Sequence, residues 1–136
     1  MFYEAIDCGL IEIETYSISF ADSEDVKIGN GPEKHRTLIG KVVDYLKQLG
    51  ISSEDIGVES TGFGGRADIV VENIGLYVEC GNSRPEKTLK TLSNGGCQLL
   101  VPYPNSDMVS VCYFFKPVKD FEVQINPYGY TTIRSN

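Results

Sequence analysis

A chain of 136 residues with 41% hydrophobic and 23% charged residues has the size and balance of one globular domain. Its formal charge of −7 and its lack of a dense basic stripe argue at first sight against a nucleic-acid partner. No apolar run reaches the roughly 18 residues that a bilayer span needs, and Met1-Phe2-Tyr3-Glu4 offers neither the positive region nor the apolar core of a secretory signal, so a cytoplasmic location without membrane contact is expected. The charge is uneven. Residues 1–32 carry seven acids and one base, whereas residues 33–136 carry twelve acids and eleven bases. The four cysteines, Cys8, Cys80, Cys97 and Cys112, lack C-x-x-C spacing and are expected to be buried free thiols, with no disulfide framework or zinc site. Cys80 with His35, the only histidine, would make a thiol–imidazole pair, but no local pattern supports one.

The first predicted element is a strand over residues 10–20. Ile11 and Ile13 alternate with acids, and Tyr16, Ile18 and Phe20 alternate with serines. The apolar phase shifts near Thr15, and a bulge there would return both sets to one face. Gly29-Asn30-Gly31 marks a loop. A helix starts at Pro32, shows the apolar stripe Leu38, Ile39, Val42, Val43, Leu46 and Leu49, and closes at Gly50. His35 lies on the same stripe, directed at the core or at the edge of a cleft. Three short strands follow as an antiparallel meander: Ile56–Thr61, Arg66–Glu72 and Leu76–Cys80. Gly62–Gly65 and Asn73-Ile74-Gly75 form its turns. A second helix then begins near Pro85, capped by Asn82 or Ser83, carries Leu89 and Leu92, and stops at Gly95-Gly96. Strands are predicted at Cys97–Tyr103, as a buried run, at Val109–Phe115, and at Phe121–Ile125 as an edge strand. A turn at Asn126-Pro127 leads to a last one over Tyr128–Ile133.

Two carboxylates stand out in this order. Asp68 and Glu79 fall on neighbouring antiparallel strands, and a suitable register brings them together at one end of a sheet. Paired carboxylates repel unless a cation or a proton intervenes. A hard divalent ion such as Mg²⁺ suits a site of one or two carboxylates completed by water and phosphate. The bland alternative is a solvated turn acid beside an ordinary ion pair of Glu79 with Arg66 or Lys87.

Over about residues 32–103 the chain resembles the PD-(D/E)XK nuclease superfamily. The resemblance rests on the leading helix, on Gly64-Gly65-Arg66-Ala67-Asp68-Ile69-Val70-Val71, and on Leu76-Tyr77-Val78-Glu79-Cys80-Gly81 running into the second helix. It implies one restriction-endonuclease-like α/β domain over 1–136, a mixed central sheet flanked by helices. The core would span about 32–117, with an N-terminal strand segment over 1–31 and C-terminal edge strands over 118–136. It also implies that Asp68 and Glu79 bind Mg²⁺ or Mn²⁺. The family's lysine, two positions past the second acid, is replaced by Gly81, and its helical acid by His35. Glu33 or Glu59 could supply the missing carboxylate. Lys87, one turn into the second helix, could supply the ammonium, ahead of Lys90 and Arg84.

Two functions follow from the resemblance. One is metal-dependent phosphodiester hydrolysis on DNA or RNA, with Asp68 and Glu79 as metal ligands, Lys87 or His35 acting on the attacking water, and the amides at the start of the second helix receiving a phosphate oxygen. The other is a nuclease-fold protein without catalysis, serving as a binding or assembly module. A homodimer or a protein partner is compatible with both.

Overall fold

The structure, a computed structural model, describes residues 2–62, 65–125, 128 and 131–135. The chain runs α1 (Phe2–Asp7), β1 (Ile11–Ser19), α2 (Glu33–Gln48), β2 (Gly57–Gly62), β3 (Gly65–Val71), β4 (Leu76–Cys80), α3 (Pro85–Ser93), β5 (Cys97–Val101), β6 (Val109–Pro117), β7 (Phe121–Ile125) and β8 (Thr131–Ser135). Six strands form one mixed sheet in the order β1-β6-β5-β4-β3-β2, and β7 and β8 form a separate two-stranded ribbon. All neighbours in the large sheet are antiparallel except β4 and β5, which α3 joins as a parallel pair. The fold is therefore α/β. Among the described residues no helix is long and apolar enough to cross a membrane.

The helical stripe predicted from residue 38 onward packs as expected up to Leu46, whereas Leu49 lies past the helix end and is exposed. Leu38, Ile39, Val42, Val43 and Leu46 press on Ile69, Val71, Val78, Leu99 and Val101 of one sheet face. Gly40 interrupts this helix for a steric reason, since a Cβ there would land on the Val26 carbonyl of the loop that crosses it. The opposite face carries a smaller core, in which Ala5, Leu10 and Ile11 meet Leu89, Leu92, Phe115 and Phe121.

Several expectations are corrected. No bulge interrupts β1, because Ile11 through Ser19 pair with Pro117 through Val109 without a skipped residue. The phase shift near Thr15 instead splits the strand between two cores. Ile11 joins the α3 side and Ile18 the α2 side, with Phe20 just beyond the strand. A sheet covered on both faces removes the need for one continuous stripe. The segment before β1 holds the helix α1 rather than strand alone. Strands β7 and β8 are not edges of the main sheet: β1 and β2 hold those places, and β7 packs on α3. Pro32 is the residue before α2 rather than its first residue, and β5 ends at Val101, ahead of Pro102. Cys80 and Cys112 are buried as expected, but Cys97 is half-buried and Cys8 exposed. The turn at Phe63-Gly64 and the turn at Asn126-Pro127 lie outside the described residues.

Candidate functional site

The register of the meander brings three acids into one row. The β3–β4 ladder ends at Ile69 opposite Val78, and one step further Asp68 faces Glu79. The β2–β3 ladder has Val58 opposite Ile69 and Ser60 opposite Ala67, which sets Glu59 beside Asp68. Asp68 stands where β3 and β4 separate. Its Oδ2 accepts the Cys80 main-chain N–H at 2.8 Å, and its Oδ1 lies 3.1 Å from His35 Nε2. His35 is delivered by the first turn of α2 and is half-buried, the cleft-edge position that its place on the stripe predicts. Its other ring nitrogen lies 3.5 Å from the Tyr103 hydroxyl.

Glu79 is the most enclosed acid of the row, with its side chain 8% exposed. Burial pushes its carboxyl above the usual range; the Lys87 ammonium works against this, and the neighbouring Asp68 carboxylate adds to it. Lys87 Nζ lies 2.7 Å from Glu79 Oε1 and also donates to the Arg66 carbonyl. At that distance the ammonium is a charge-assisted partner of Oε1 and the counter-charge of this buried carboxylate. The first turn of α3 thus returns a lysine to the end of β4.

Position 81 could not hold that lysine. Gly81 has φ +84°, a left-handed conformation that favours glycine, and a Cβ there would come within 2.8 Å of the Tyr103 ring. Tyr103 therefore occupies the space in which a side chain from position 81 would stand. Lys34 Nζ lies 4.2 Å from the centre of the same ring, at cation–π distance. Tyr103 escaped the sequence reading because it lies 22 positions from Gly81, with no spacing rule connecting them.

The remaining candidates separate. Glu59 belongs to the row but is committed elsewhere. Its carboxylate accepts from Asn30 N at 2.6 Å, Asn30 Nδ2 at 2.8 Å and Arg66 at 3.0 Å. The Asn30 N–H, helped by Arg66, holds its carboxyl below the usual range. Its φ of +53° is strained for a residue with a side chain. Arg66 pairs with Glu59 and not with Glu79. Glu33 is exposed and pairs with Lys27 at 2.8 Å, apart from the row. Lys90 is exposed on α3. Cys80 is no activated nucleophile, since burial pushes its thiol well above the ordinary value, and the imidazole of His35 is directed at Asp68. Neither Asn82 nor Ser83 caps α3. Arg84 is the residue before the helix, extended at φ −89° and ψ 135° because Pro85 follows it.

A cleft of about 450 Å³ opens on this cluster, lined by Glu79, Asn82, Ser83, Arg84 and Lys87. It lies at the carboxyl ends of the parallel strands β4 and β5, where open α/β sheets place their ligands. Among the described residues no three His, Cys, Asp or Glu side chains gather as metal ligands. A cation here would take two carboxylates from the protein and its other oxygens from water and phosphate, as Mg²⁺ readily does. The donor chemistry fits: the Glu79 and Asp68 carboxylate oxygens each keep a lone pair beyond the contacts they make. No protein-family model, curated protein or solved structure matches this chain.

Proposed function

We propose that the chain is a metal-dependent nuclease of the PD-(D/E)XK superfamily, with a restriction-endonuclease-like core, hydrolysing phosphodiester bonds of DNA or RNA. The observation that carries this reading is the Lys87 ammonium at Glu79, one strand from Asp68, entering from a helix exactly where the strand has no room for a lysine. Asp68 and Glu79 would hold Mg²⁺ or Mn²⁺, which supplies Lewis-acid polarisation of the phosphodiester and a more acidic water. Lys87 orients the attacking water and offsets charge developing on the phosphoryl oxygens. His35 is a positioning residue, fixing the Asp68 carboxylate through Oδ1 while the Cys80 N–H fixes it through Oδ2. Arg84 and Asn82 line the approach for the substrate backbone. Hydrolysis joins the water oxygen to phosphorus and breaks one P–O ester bond, the water proton ending on the departing alkoxide.

The test is cleavage of labelled single- and double-stranded DNA and RNA with Mn²⁺ present. Asp68→Asn is expected to lower turnover by about 10²-fold or more and to remove the Mn²⁺ binding seen by calorimetry. Intact substrates throughout, with wild-type protein, would overturn the nuclease reading.

One observation favours the second reading, a nuclease-fold binding or assembly module without catalysis. Both Asp68 oxygens already have partners within the protein, and Lys87 already stands as a counter-charge to Glu79. A cluster balanced in this way holds itself together without an added ion. Folded wild-type protein that takes up no Mn²⁺ in calorimetry would establish this reading over the first.

A further inference from the structure

The α2 flank of the site carries charge that the reaction above leaves unused. Lys34, Thr37 and Lys41 follow one another on one side of α2 and, with Tyr103 and Met108, line a pocket of about 160 Å³. Lys41 is 7% exposed, which is rare for a lysine. The loop that crosses α2 at Gly40 brings Asp25 toward it, but only to 4.0 Å, and the Asp25 side chain is 75% exposed. A pair at that distance, with its acid in water, contributes little. An ammonium held out of water is costly unless it is paired and hydrogen-bonded. Among the described residues no hydrogen bond reaches Lys41 Nζ, yet it is not one of the fully enclosed atoms left without a partner. Its tip therefore opens to solvent, and the pocket is the space it borders. Lys34 is exposed and stands over the Tyr103 ring, a wall of the same pocket. A cation–π contact leaves its N–H donors free for another acceptor. A chain with nineteen acids thus turns two lysines toward one space and brings only Asp25 near them among the described residues.

We propose that this pocket binds a backbone phosphate of the substrate strand, next to the phosphate that is cut. The inference rests on the nuclease reading and extends it. Tyr103 joins the two spaces, because its ring walls the pocket and its hydroxyl meets His35, which holds Asp68. Beyond Glu79, Arg84 and Lys87 border the 450 Å³ cleft beside α3. Cations thus flank the acid row on both sides, carried by helices that cover opposite faces of the sheet. A strand laid across the end of the sheet from α3 to α2 meets cations before the acids and again after them. Its phosphate oxygens accept the charge-assisted hydrogen bonds that Lys34 and Lys41 have left to give. Ammonium groups hold phosphate as point charges and read no base. The substrate class is therefore an oligonucleotide that continues past the cut on the α2 side, gripped there without regard to sequence.

The experiment compares Mn²⁺-dependent cleavage of DNA and RNA oligonucleotides with that of dinucleoside monophosphates, which have the scissile phosphate and no other. The quantity read is the ratio of kcat/KM for the long substrate to that for the short one. Lys41→Met and Lys34→Gln are each expected to lower this ratio about tenfold, the loss of a hydrogen bond to a charged group. Each is also expected to reduce the slope of log affinity against log salt for the oligonucleotide by about one, as the loss of a phosphate contact does. Circular dichroism reports folding, and Lys34→Gln, at an exposed position, carries the test if Lys41→Met does not fold. A ratio unchanged in the folded variants, or a changed ratio with an unchanged salt slope, overturns the pocket and leaves hydrolysis standing. No cleavage of any substrate by the wild-type protein overturns the pocket and the nuclease reading together.

Discussion

Against α2 the sheet presents Ile69, Val71, Val78, Leu99 and Val101, and the helix answers with five aliphatic side chains. Against α3 it presents Glu79 and Gln98 beside Leu100 and Phe115, and the helix answers with Thr88 and Thr91 as well as Leu89 and Leu92. The α2 layer has the composition of a core that exists to be stable. The α3 layer keeps buried polar groups, and on Thr88 and Gln98 it leaves polar atoms without partners. Placing most of the stabilising area on one face lets the other tolerate a charged cleft.

The largest test of this division removes residues 1–29, which contribute to both layers. Leu10, Ile11, Ile18 and Phe20 are all buried. At roughly 1.5–3 kcal/mol for each buried large side chain, their loss approaches the whole stability of a small domain. The shortened chain is expected to be unfolded or insoluble, as read by circular dichroism, and an unchanged melting temperature would show the segment to be peripheral. A finer contrast pairs Ile39→Ala with Gln98→Leu. The first leaves a cavity in the α2 layer and is expected to cost about 2–5 kcal/mol in urea unfolding. The second removes an orphaned oxygen from the α3 layer and is expected to change stability by about 1 kcal/mol or less. Equal losses would erase the distinction between the faces.

The cleft side is tested through Lys87 and Gly81. Lys87→Ala is expected to lower turnover about 10²-fold, the range of a positioned catalytic group, and also to lower the melting temperature, because the buried Glu79 loses its counter-charge. Full activity would transfer the role to His35. Gly81→Lys restores the lysine that the family motif carries, yet it is expected to destabilise the protein by about 1–3 kcal/mol and to gain no activity, because Tyr103 fills the space and the backbone is left-handed there. The smallest effect concerns Tyr16, whose hydroxyl is pushed up to about 12, first by burial and then by Tyr45. Above the ordinary tyrosine value of about 10 the unfolded chain loses this proton while the folded chain keeps it. Stability therefore falls between those two pH values, and Tyr16→Phe is expected to flatten that fall slightly in pH-dependent melting.

Much of this arrangement was legible in local spacing. The stripe from Leu38 to Leu46, the turn at Gly75 and the strand ending at Cys80 all follow short-range rules, and together they place Asp68 beside Glu79. Lys87 was legible because Gly81 left a gap and the next helix starts close by. Features that depend on long-range partners were not. Whether Ile11 and Ile18 share a face depends on how many layers cover the sheet, which the strand itself does not encode. Tyr103 matters only because the chain returns it to Gly81. The ribbon of β7 and β8 alternates like an edge strand, and only its packing on α3 separates it from the sheet.

The pairing of β1 has a consequence for how the chain is made. Its partner β6 lies between 90 and 106 residues downstream. At a synthesis rate of about 5–20 residues per second, the first strand waits roughly 5–20 s before its neighbour exists. Throughout that wait it is an unpaired strand carrying Ile11, Ile13, Tyr16 and Ile18, the kind of segment that associates with other chains. Glu12 and Glu14 alternate with its first isoleucines, and the acids on either side share its sign of charge. Nascent copies therefore repel one another at the segment most prone to stick, and the acidity of the first 32 residues acts as a gatekeeper during folding.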